Sequence, residues 1–348
     1  MTKYTLLTIC LSLLQLKGIG QADSSKNVQP FSMSGSVDVY FRNALNSKKN
    51  TINNFTSFTN SNQKLQIGMA TAKIDYTKGD FYATVDVGFG KRATEFSYND
   101  QGMLANIKQA YIAYNISDRF KMSAGKWATH VGYELLDAPL NRNYSMSYGF
   151  SYGPFFHTGF KADFAINSKS GLMLGIANPT DNINSNSPYK VLVGQYSNKF
   201  FKDKTVMYIN YQGGKTGYES SFSQWDLVLT NALTEQLTIN YDGTVFMAKN
   251  AGKKGLWKSN AFYVNYDPSK KLGFTYRSEF FYDKNAISAG AFATKIFANT
   301  FSLNYKMHQL TILPELRIEN AKDPIYVNKE GNTASKTASF ILAAIYKF

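Results

Sequence analysis

The chain ends in the sequence TASFILAAIYKF, residues Thr337 to Phe348, and the two faces of this stretch differ in chemistry. Counting back from the end, every second residue is apolar or aromatic: Phe348, Tyr346, Ala344, Leu342, Phe340 and Ala338. The other face mixes Lys347 and Ser339 with Ile and Ala. This period of two predicts a β-strand with one apolar side. Because termini usually fray, a strongly apolar last strand favours a closed transmembrane barrel, whose last strand pairs with its first. The alternative is an edge strand of a soluble sandwich.

The first residues have the composition of a secretory signal peptide. Lys3 precedes an apolar run from Thr5 to Leu16, and small residues lead up to a cleavage point after Ala22. The run is shorter than the roughly 20 residues that a transmembrane helix needs. We therefore predict a signal peptide over residues 1–22 and one mature barrel domain over residues 23–348.

Composition separates the remaining classes of protein. Aromatic residues make up 15% of the chain and charged residues 18%, and the mean hydropathy is −0.30. After the signal peptide no apolar run approaches the length of a transmembrane helix. Many aromatic residues without long apolar runs are typical of a transmembrane β-barrel with aromatic girdles. The only cysteine, Cys10, lies in the predicted signal peptide, so we expect no disulfide in the mature chain.

The charge balance is basic. The formal net charge is +14, and removal of Lys3 and Lys17 with the signal peptide leaves +12. A basic balance can indicate nucleic acid, anionic lipid or an anion-preferring pore. Because the chain is exported and carries no nucleic-acid motif, we expect no nucleic-acid partner. Two explanations of the basic charge remain: contact with phosphorylated outer-leaflet lipid, including lipopolysaccharide, and a mildly anion-selective lumen.

Strand-like segments recur along the whole mature chain, and we count sixteen. They are Phe31–Arg42, Leu65–Tyr76, Phe81–Gly90, Leu104–Asn115, Phe120–Trp127, Phe155–Ile166, Leu172–Ala177, Tyr189–Phe200, Thr205–Gln212, Phe222–Asn231, Gln236–Ala248, Leu256–Tyr266, Lys271–Tyr282, Phe292–Tyr305, Gln309–Glu319 and Thr337–Phe348. Short turns alternate with longer loops such as residues 43–64, 91–103, 128–154 and 320–336. This alternation predicts an all-β, antiparallel transmembrane barrel with periplasmic turns and outside loops. Errors in the boundaries would also allow fourteen or eighteen strands.

The polar faces of these segments carry many ionisable residues. They include Asp86, Lys161, Asp163, Asp226, Asp242, Arg277, Glu279, Glu315 and Arg317. Barrels of 16–18 strands leave a water-filled channel, in which such side chains are solvated. A dry interior would instead force each one into a costly paired arrangement. We interpret Lys161, Asp163, Arg277, Glu279, Glu315 and Arg317 as pore-lining candidates.

Three residues fit the alternating pattern poorly. Lys108 and Lys295 each share a face with apolar residues, and Pro314 lies inside a predicted strand. A bulge, a strand end near the headgroups or a wrong boundary would explain the two lysines. Proline cannot donate to a ladder, so Pro314 requires a bulge or a position at the rim.

Residues 125–160 read GKWATHVGYELLDAPLNRNYSMSYGFSYGPFFHTGF. This stretch resembles the OmpL-like β-barrel porin family, whose pattern is matched by Gly125 and Trp127, Gly132-Tyr133-Glu134, Asn143-Tyr144-Ser145, Pro154-Phe155 and Thr158-Gly159. Weaker matches are Val37-Asp38-Val39-Tyr40 and Pro314-Glu315-Leu316-Arg317. The ending, with Tyr346 and the terminal Phe348, is similar to the C-terminal assembly signal of Gram-negative outer-membrane barrels. The resemblance implies an outer-membrane porin and contact with the barrel-assembly machinery.

The longest loop, residues 128–154, is a candidate constriction. In general diffusion porins the third loop folds into the lumen, and by similarity this one is expected to do so; the alternative is an outside lid. It carries Glu134, Asp137 and Arg142. We predict that Glu134 and Asp137 face wall cations such as Lys161 and Arg277, since opposed charges would set an ion preference.

Catalytic motifs are weak in this sequence. Gly149 to Gly153 matches G-x-S-x-G around Ser151, but a nucleophile elbow needs a strand-turn-helix context. This match lies in a Gly/Ser/Tyr loop between strands, and His157 and His308 are the only later histidines. The three histidines are not grouped at metal-ligand spacing, and we expect no cofactor and no enzyme activity.

The sequence therefore predicts an outer-membrane porin of a Gram-negative bacterium, through which small hydrophilic solutes and ions diffuse passively. The alternative is a structural or adhesive barrel that displays outside loops. Assembly as a homotrimer is compatible with either function.

Overall fold

The structure is a computed structural model, and it describes residues 30–287 and 294–348. The predicted signal peptide lies outside the described residues. Sixteen antiparallel strands close into one barrel. In chain order they are β1 Phe31–Ala44, β2 Lys64–Lys78, β3 Phe81–Phe89, β4 Ile107–Ser117, β5 Phe120–Ala128, β6 Phe156–Ala165, β7 Ser170–Ala177, β8 Val191–Phe200, β9 Thr205–Lys215, β10 Ser221–Ala232, β11 Leu237–Asn250, β12 Lys253–Tyr266, β13 Leu272–Asp283, β14 Lys295–Met307, β15 Leu310–Ala321 and β18 Lys336–Lys347. Each predicted segment overlaps one of these strands, so the predicted fold class is confirmed.

The remaining elements lie in the long loops, and the sequence analysis did not predict them. Two short helices are α1, Lys91–Phe96, and α2, Tyr148–Tyr152, with 3-10 turns at Gly102–Asn106 and Ala138–Leu140. A small hairpin pairs β16, Tyr326–Val327, with β17, Thr333–Ala334. Among the described residues, no helix is both long and apolar enough to cross a membrane.

The last strand closes the barrel, as its alternating pattern predicts. β18 pairs with β1 from Ser36 opposite Lys347 to Ala44 opposite Ser339. Beyond these pairs, Gly35 and Phe348 exchange two backbone hydrogen bonds of 3.0 Å. A Cβ on Gly35 would lie 2.6 Å from the Phe348 ring, so only glycine leaves room for the terminal aromatic side chain.

The poorly fitting residues have distinct explanations. Lys108 occupies a bulge, because the register of β3 and β4 shifts between Asp86 and Val87. Lys295 is the first residue of β14, at a strand end. For Pro314 the expected bulge or rim position was wrong, because the register of β14 and β15 does not shift. Instead, the backbone pairing of the two strands is interrupted between the pairs Ser302–Glu315 and Tyr305–Ile312.

The outer wall is apolar along its height. Phe262, Phe274, Phe297 and Phe301 point outward and are about half exposed, while their sequence neighbours on the inner face are buried. This alternation is that of a lipid-facing surface. Three outside loops matter below: L1 (residues 45–63), L2 (residues 90–106) and L3 (residues 129–155).

Candidate functional site

L3 folds into the barrel instead of lying over it. Its first arm is fixed by backbone donors: the N–H of Gly132 donates to Asp226 and the N–H of Tyr133 donates to Asp242, both at 3.0 Å. His130 contacts the carbonyl of Tyr211 through Nε2 at 3.0 Å. Irregular backbone removed from water needs partners for its polar groups, and here wall carboxylates provide several of them.

A buried ion-pair network anchors the middle of L3. Glu134 Oε1 lies 2.6 Å from Arg277 Nη1, and Arg277 Nε lies 3.2 Å from Glu279. Arg317 Nη1 in turn lies 2.6 Å from Glu279, and its Nε contacts Glu319. All five side chains are almost completely buried. Buried charges are tolerated when they are paired and hydrogen-bonded. Here each arginine is paired with carboxylates, and Arg277 Nη1 donates to Glu134 while Arg317 Nη1 donates to Glu279.

The second arm of L3 follows the wall formed by β13, β14 and β15. The N–H groups of Tyr144 and Ser145 donate to Glu315 at 2.7 and 3.0 Å. The N–H of Tyr148, the first residue of α2, donates to Glu279 at 2.7 Å. Asn143 Nδ2 donates to Ser302 at 2.7 Å. The wall carboxylates therefore satisfy the loop backbone where no regular ladder does.

Arg142 carries L3 to the opposite end of the barrel. Its guanidinium donates to both carboxylate oxygens of Asp267, at 2.9 and 2.7 Å, and to Thr275 at 2.8 Å. Asp267 belongs to the short turn between β12 and β13. L3 thus runs from the outside rim to the periplasmic mouth.

Two further contacts hold L3 on its other flank. Asp137 Oδ1 lies 2.6 Å from Lys108 Nζ, which also lies 3.0 Å from Asp86. Tyr144 donates its hydroxyl to Asp38 on β1. This approach requires Gly68 on β2, because a Cβ there would lie 1.9 Å from the Asp38 carboxylate.

L1 and L2 pack onto L3 and close the outside half of the lumen. A buried apolar cluster joins the three loops, and its members include Phe58, Phe96, Leu136, Met146, Phe150, Phe155 and Phe156. Arg92 of α1 donates to the carbonyls of Leu136 and Tyr144 at 3.1 and 3.3 Å. Its guanidinium also lies over the rings of Phe58 and Tyr144. We call this assembly the outside plug.

The predicted site residues divide into two groups. The structure brings together Glu134, Arg277, Glu279, Arg317 and Glu315 around L3, with Arg142 at its far end. Lys161 and Asp163 lie on the other side, on β6, paired with each other at 3.5 Å. The expected partner Arg277 does face Glu134, but Asp137 pairs with Lys108 and not with Lys161.

The more accessible charges of the lumen lie on β2 to β6. Lys73 and Asp75 form a 3.0 Å ion pair with side chains 33% and 34% exposed. Lys121 is 39% exposed and lies 3.9 Å from Asp163. By contrast, Arg277 is completely buried.

Sequence reasoning missed several residues that hold L3. Asp38, Lys108 and Asp267 are partners of the loop, as is Arg92 from L2. Lys108 had a signal, because it fits the alternating pattern poorly and a bulge was one of the explanations for this misfit. The others look like ordinary wall or loop residues in the sequence.

The G-x-S-x-G match has a structural role. Ser151 lies in α2, where its Oγ donates to the carbonyl of Ser147 at 2.7 Å and accepts from the N–H of Ser57 at 3.0 Å. It therefore ties L3 to L1.

A closed sixteen-stranded barrel with its third loop inside the lumen has the architecture of the outer-membrane porins. The family described as Putative beta-barrel porin-2, OmpL-like, matches residues 30–348, and the chain belongs to this family. The protein is thus an outer-membrane porin of the Gram-negative type, a channel for the diffusion of solutes, as the resemblance implied.

Solved structures agree with this fold. An in-vitro folded, trimeric form of OmpT from Vibrio cholerae aligns with a TM-score of 0.62 at 13% identity, over 91% of this chain and 99% of that one. OprB of Pseudomonas putida gives 0.62 at 9% identity, over 92% and 94%. An anion-selective porin from Comamonas acidovorans gives 0.59 at 9% identity, over 91% and 99%. No curated protein sequence matches the chain at a significant level.

Proposed function

We propose that small hydrophilic solutes and ions cross this porin along the wall formed by β2 to β6, and that the outside plug is the barrier they must pass. The main support is that charged side chains on the inner wall differ in how far they are exposed to water. Charged side chains are partly open to water at Lys73, Asp75 and Lys121. In the outside half, lumen-facing side chains such as Trp257 and Phe281 are buried.

The site residues then have two roles. Lys161 and Asp163 line the route, with Lys121 beside them. Glu134, Arg277, Glu279, Glu315 and Arg317 are positioning residues that fix L3 against the opposite wall, and Arg142 fixes its far end. Asp137, through Lys108, sets the width between the loop and β4.

The route itself is close to charge balance. Each of its cations has a carboxylate partner: Lys73 with Asp75, Lys161 and Lys121 with Asp163. Among the described residues eleven carboxylates but only six Lys or Arg side chains are buried. The basic excess of the chain therefore lies outside the lumen, and we expect weak ion selectivity despite the formal charge of +14.

A homotrimer is supported by the outer wall of β2 to β5. Small side chains recur there at Ala70, Ala72, Ala83, Ala110 and Ala124, beside exposed Phe89, Val85 and Ile112 in the register. A flat wall of this kind allows two barrels to approach closely. Native mass spectrometry of the detergent-solubilised protein tests it, and Ala110→Trp is expected to yield monomers.

Further proposed partners are lipopolysaccharide and the barrel-assembly machinery. The assembly machinery would read the C-terminal strand through Tyr346 and Phe348, which are about half exposed on the outer wall. We further propose that the protein is not an enzyme, since Ser151 serves as a loop tie.

The filled lumen also favours a second candidate, a barrel that anchors outside loops for adhesion. The two functions differ in conductance. Single-channel recording of the refolded mature chain in a planar KCl bilayer should show open steps if the protein is a diffusion channel. A folded, inserted barrel that never conducts would support the anchor.

The plug is tested with Ser57→Cys combined with Ser151→Cys, because the mature chain has no cysteine of its own. Oxidation should link L1 to L3, since Ser57 N and Ser151 Oγ are 3.0 Å apart. We expect the oxidised form to conduct less than the reduced form. Equal conductance in the two forms would contradict a plug that moves.

A further inference from the structure

Five exposed lysines cluster on the outer wall at the outside ends of β11 to β14. They are Lys249, Lys254, Lys258, Lys284 and Lys295, and we call them the lysine patch. Their neighbours Phe281, Ser259 and Ile296 face the lumen and are buried. Because side chains alternate along a strand, Lys258, Lys295 and Tyr282 point away from the lumen, toward the surrounding membrane.

Three side chains form one row across the patch. Lys258 on β12 is opposite Tyr282 on β13, and Tyr282 is opposite Lys295 on β14. The two ammonium groups lie 6.0 and 5.1 Å from the centre of the Tyr282 ring. The row therefore places two positive charges, one on each side of the Tyr282 ring, on one part of the outer wall.

The lysines of the patch are not paired with carboxylates in the part of the chain that the structure describes. None of its lysines forms a salt bridge among the described residues, whereas Lys73 and Lys108 on the inner wall do. Lys249 and Lys254 are directly opposite each other across β11 and β12. Like charges in that position destabilise a sheet, so the sequence retains an unfavourable pair at this place.

Three acids lie near the patch. Asp283 is buried on the inner face. Asp323 is exposed and accepts from the hydroxyl of Thr294, the residue before Lys295, at 2.7 Å. Glu219 lies with Lys215 and Lys249 around an open pocket between the loops after β9 and β11, at the edge of the patch and away from Lys258. The sequence between Lys284 and Lys295 contains no charged residue.

The wall formed by β1, β2 and β3 differs at the same height. Its outward residues near the outside ends include Phe41, Leu65, Ile67 and Phe89, all exposed and all apolar. Single exposed lysines also lie at the outside ends of other strands, Lys215 on β9 and Lys336 on β18, and the lysine patch is the place where several of them cluster.

We propose that the lysine patch binds the phosphate groups of a phosphorylated glycolipid in the outer leaflet. Lysine is a strong point-charge ligand for phosphate, and clustered Lys residues at a membrane surface attract anionic headgroups. Below the row, Phe297 and Phe262 are exposed and offer an apolar surface to acyl chains. The proposal rests on the outer-membrane location and is independent of whether the lumen conducts.

The test measures lipid binding by native mass spectrometry on the refolded mature chain in mixed micelles. The probe is bis-phosphorylated lipid A, compared with the same lipid after removal of both phosphates. Lys258→Gln combined with Lys295→Gln is expected to weaken binding about tenfold or more, and removal of the phosphates is expected to have the same effect on the unmodified chain. Millimolar inorganic phosphate should not compete, since the site is proposed for a lipid.

The matched control is Lys202→Gln combined with Lys204→Gln, which removes the same charge from the turn at the other end of the barrel. It should bind like the unmodified chain. Equal losses in both double variants, unchanged binding in the first, or equal binding of the dephosphorylated lipid would each overturn the proposal.

Heat-modifiable mobility on a gel establishes that each variant is folded. Lys258→Arg combined with Lys295→Arg keeps the charge and should retain binding. If the glutamine variant fails to fold, the comparison of the two lipids on the unmodified chain still tests whether binding depends on the phosphates. Conductance is recorded separately, so failure of the channel proposal would leave this result intact.

Discussion

The two sides of the lumen use the same residue types to different degrees for structure. On β10 to β15, carboxylates and arginines are buried and hold L3, as in the pair Glu134–Arg277. On β2 to β6, Lys108 and Asp86 are also buried against L3, but the ion pair Lys73–Asp75 is about one-third exposed. The contrast shows that charge on an inner barrel wall does not by itself identify a pore lining. Whether a loop covers the charge decides between a structural and a conducting role.

Removing one cation from each side of the lumen tests this difference most directly. Arg277→Met leaves Glu134 buried without its cation and Glu279 with Arg317 alone, and breaking a buried pair costs about 3–5 kcal/mol. We expect the free energy of unfolding in denaturant to fall by that amount, and single-channel conductance to rise as L3 is released.

Lys73→Met is the control on the exposed side. An exposed ion pair contributes about 0–1 kcal/mol, so stability should barely change. Similar losses in the two variants would remove the distinction between the two sides.

A smaller effect is expected where L3 contacts β1. Tyr144→Phe removes the hydroxyl that donates to Asp38 and leaves a buried carboxylate with one donor fewer. The expected cost is about 1–3 kcal/mol in denaturant unfolding. Tyr82→Phe on the exposed side, where the hydroxyl accepts from Asn115 at 2.9 Å, should cost less. A larger loss at Tyr82 would reverse the assignment of the covered side.

The end of L3 should respond to pH. Asp181, in the loop after β7, accepts from the N–H groups of Phe155 and Phe156 at 2.7 and 3.0 Å. Burial raises the pKa of Asp181 to about 7. The folded state therefore binds more protons than the unfolded state between about pH 4 and 7, so this group adds stability as the pH falls through 7 and opposes folding above it.

We expect the unfolding free energy to rise by about 1–3 kcal/mol from pH 8 to pH 5 through this group. Asp181→Asn keeps an acceptor for both N–H groups and should remove this part of the pH dependence. Denaturant midpoints of the two proteins at both pH values provide the measurement, and parallel pH curves would contradict the assignment.

The smallest effect concerns ion preference. Lys121→Gln removes a cation from the proposed route, so the reversal potential in a KCl gradient should shift toward cation preference. A solvated charge changes the energy of a passing ion by about 1 kcal/mol, which limits the change in permeability ratio to about fivefold. Lys202→Gln, on an exposed turn, should give no shift. A shift of equal size there would show that the route lies elsewhere.

The barrel could be predicted from the sequence because the alternation of apolar and polar residues in each strand shows which face meets lipid and which meets the lumen. Alternation of period two and the alternation of short and long connections are visible within a few residues, and a bulge, one of the three explanations given for the misfit of Lys108, is the one found. The contacts of L3 have no such local record. Arg142 meets Asp267 and Tyr144 meets Asp38 across more than a hundred residues, and nothing in either neighbourhood specifies the partner.

The same limit explains the two outcomes for the loop acids. Glu134 and Asp137 were expected to face wall cations such as Lys161 and Arg277; Glu134 pairs with Arg277, while Asp137 pairs with Lys108. Charge complementarity predicts that a carboxylate will find a cation, but the choice among several cations depends on how the loop backbone turns inside the barrel.

The pairing of β1 with β18 also limits how early in folding the barrel can close. It joins Gly35 to Phe348, so it has the longest sequence separation of the strand pairings among the described residues. Contacts of that kind form slowly because the intervening chain must first be ordered. The barrel therefore cannot close until β18 is available to pair with β1. A chain that loses its final residues would expose two unpaired edges at once, and aggregation or degradation would compete with insertion.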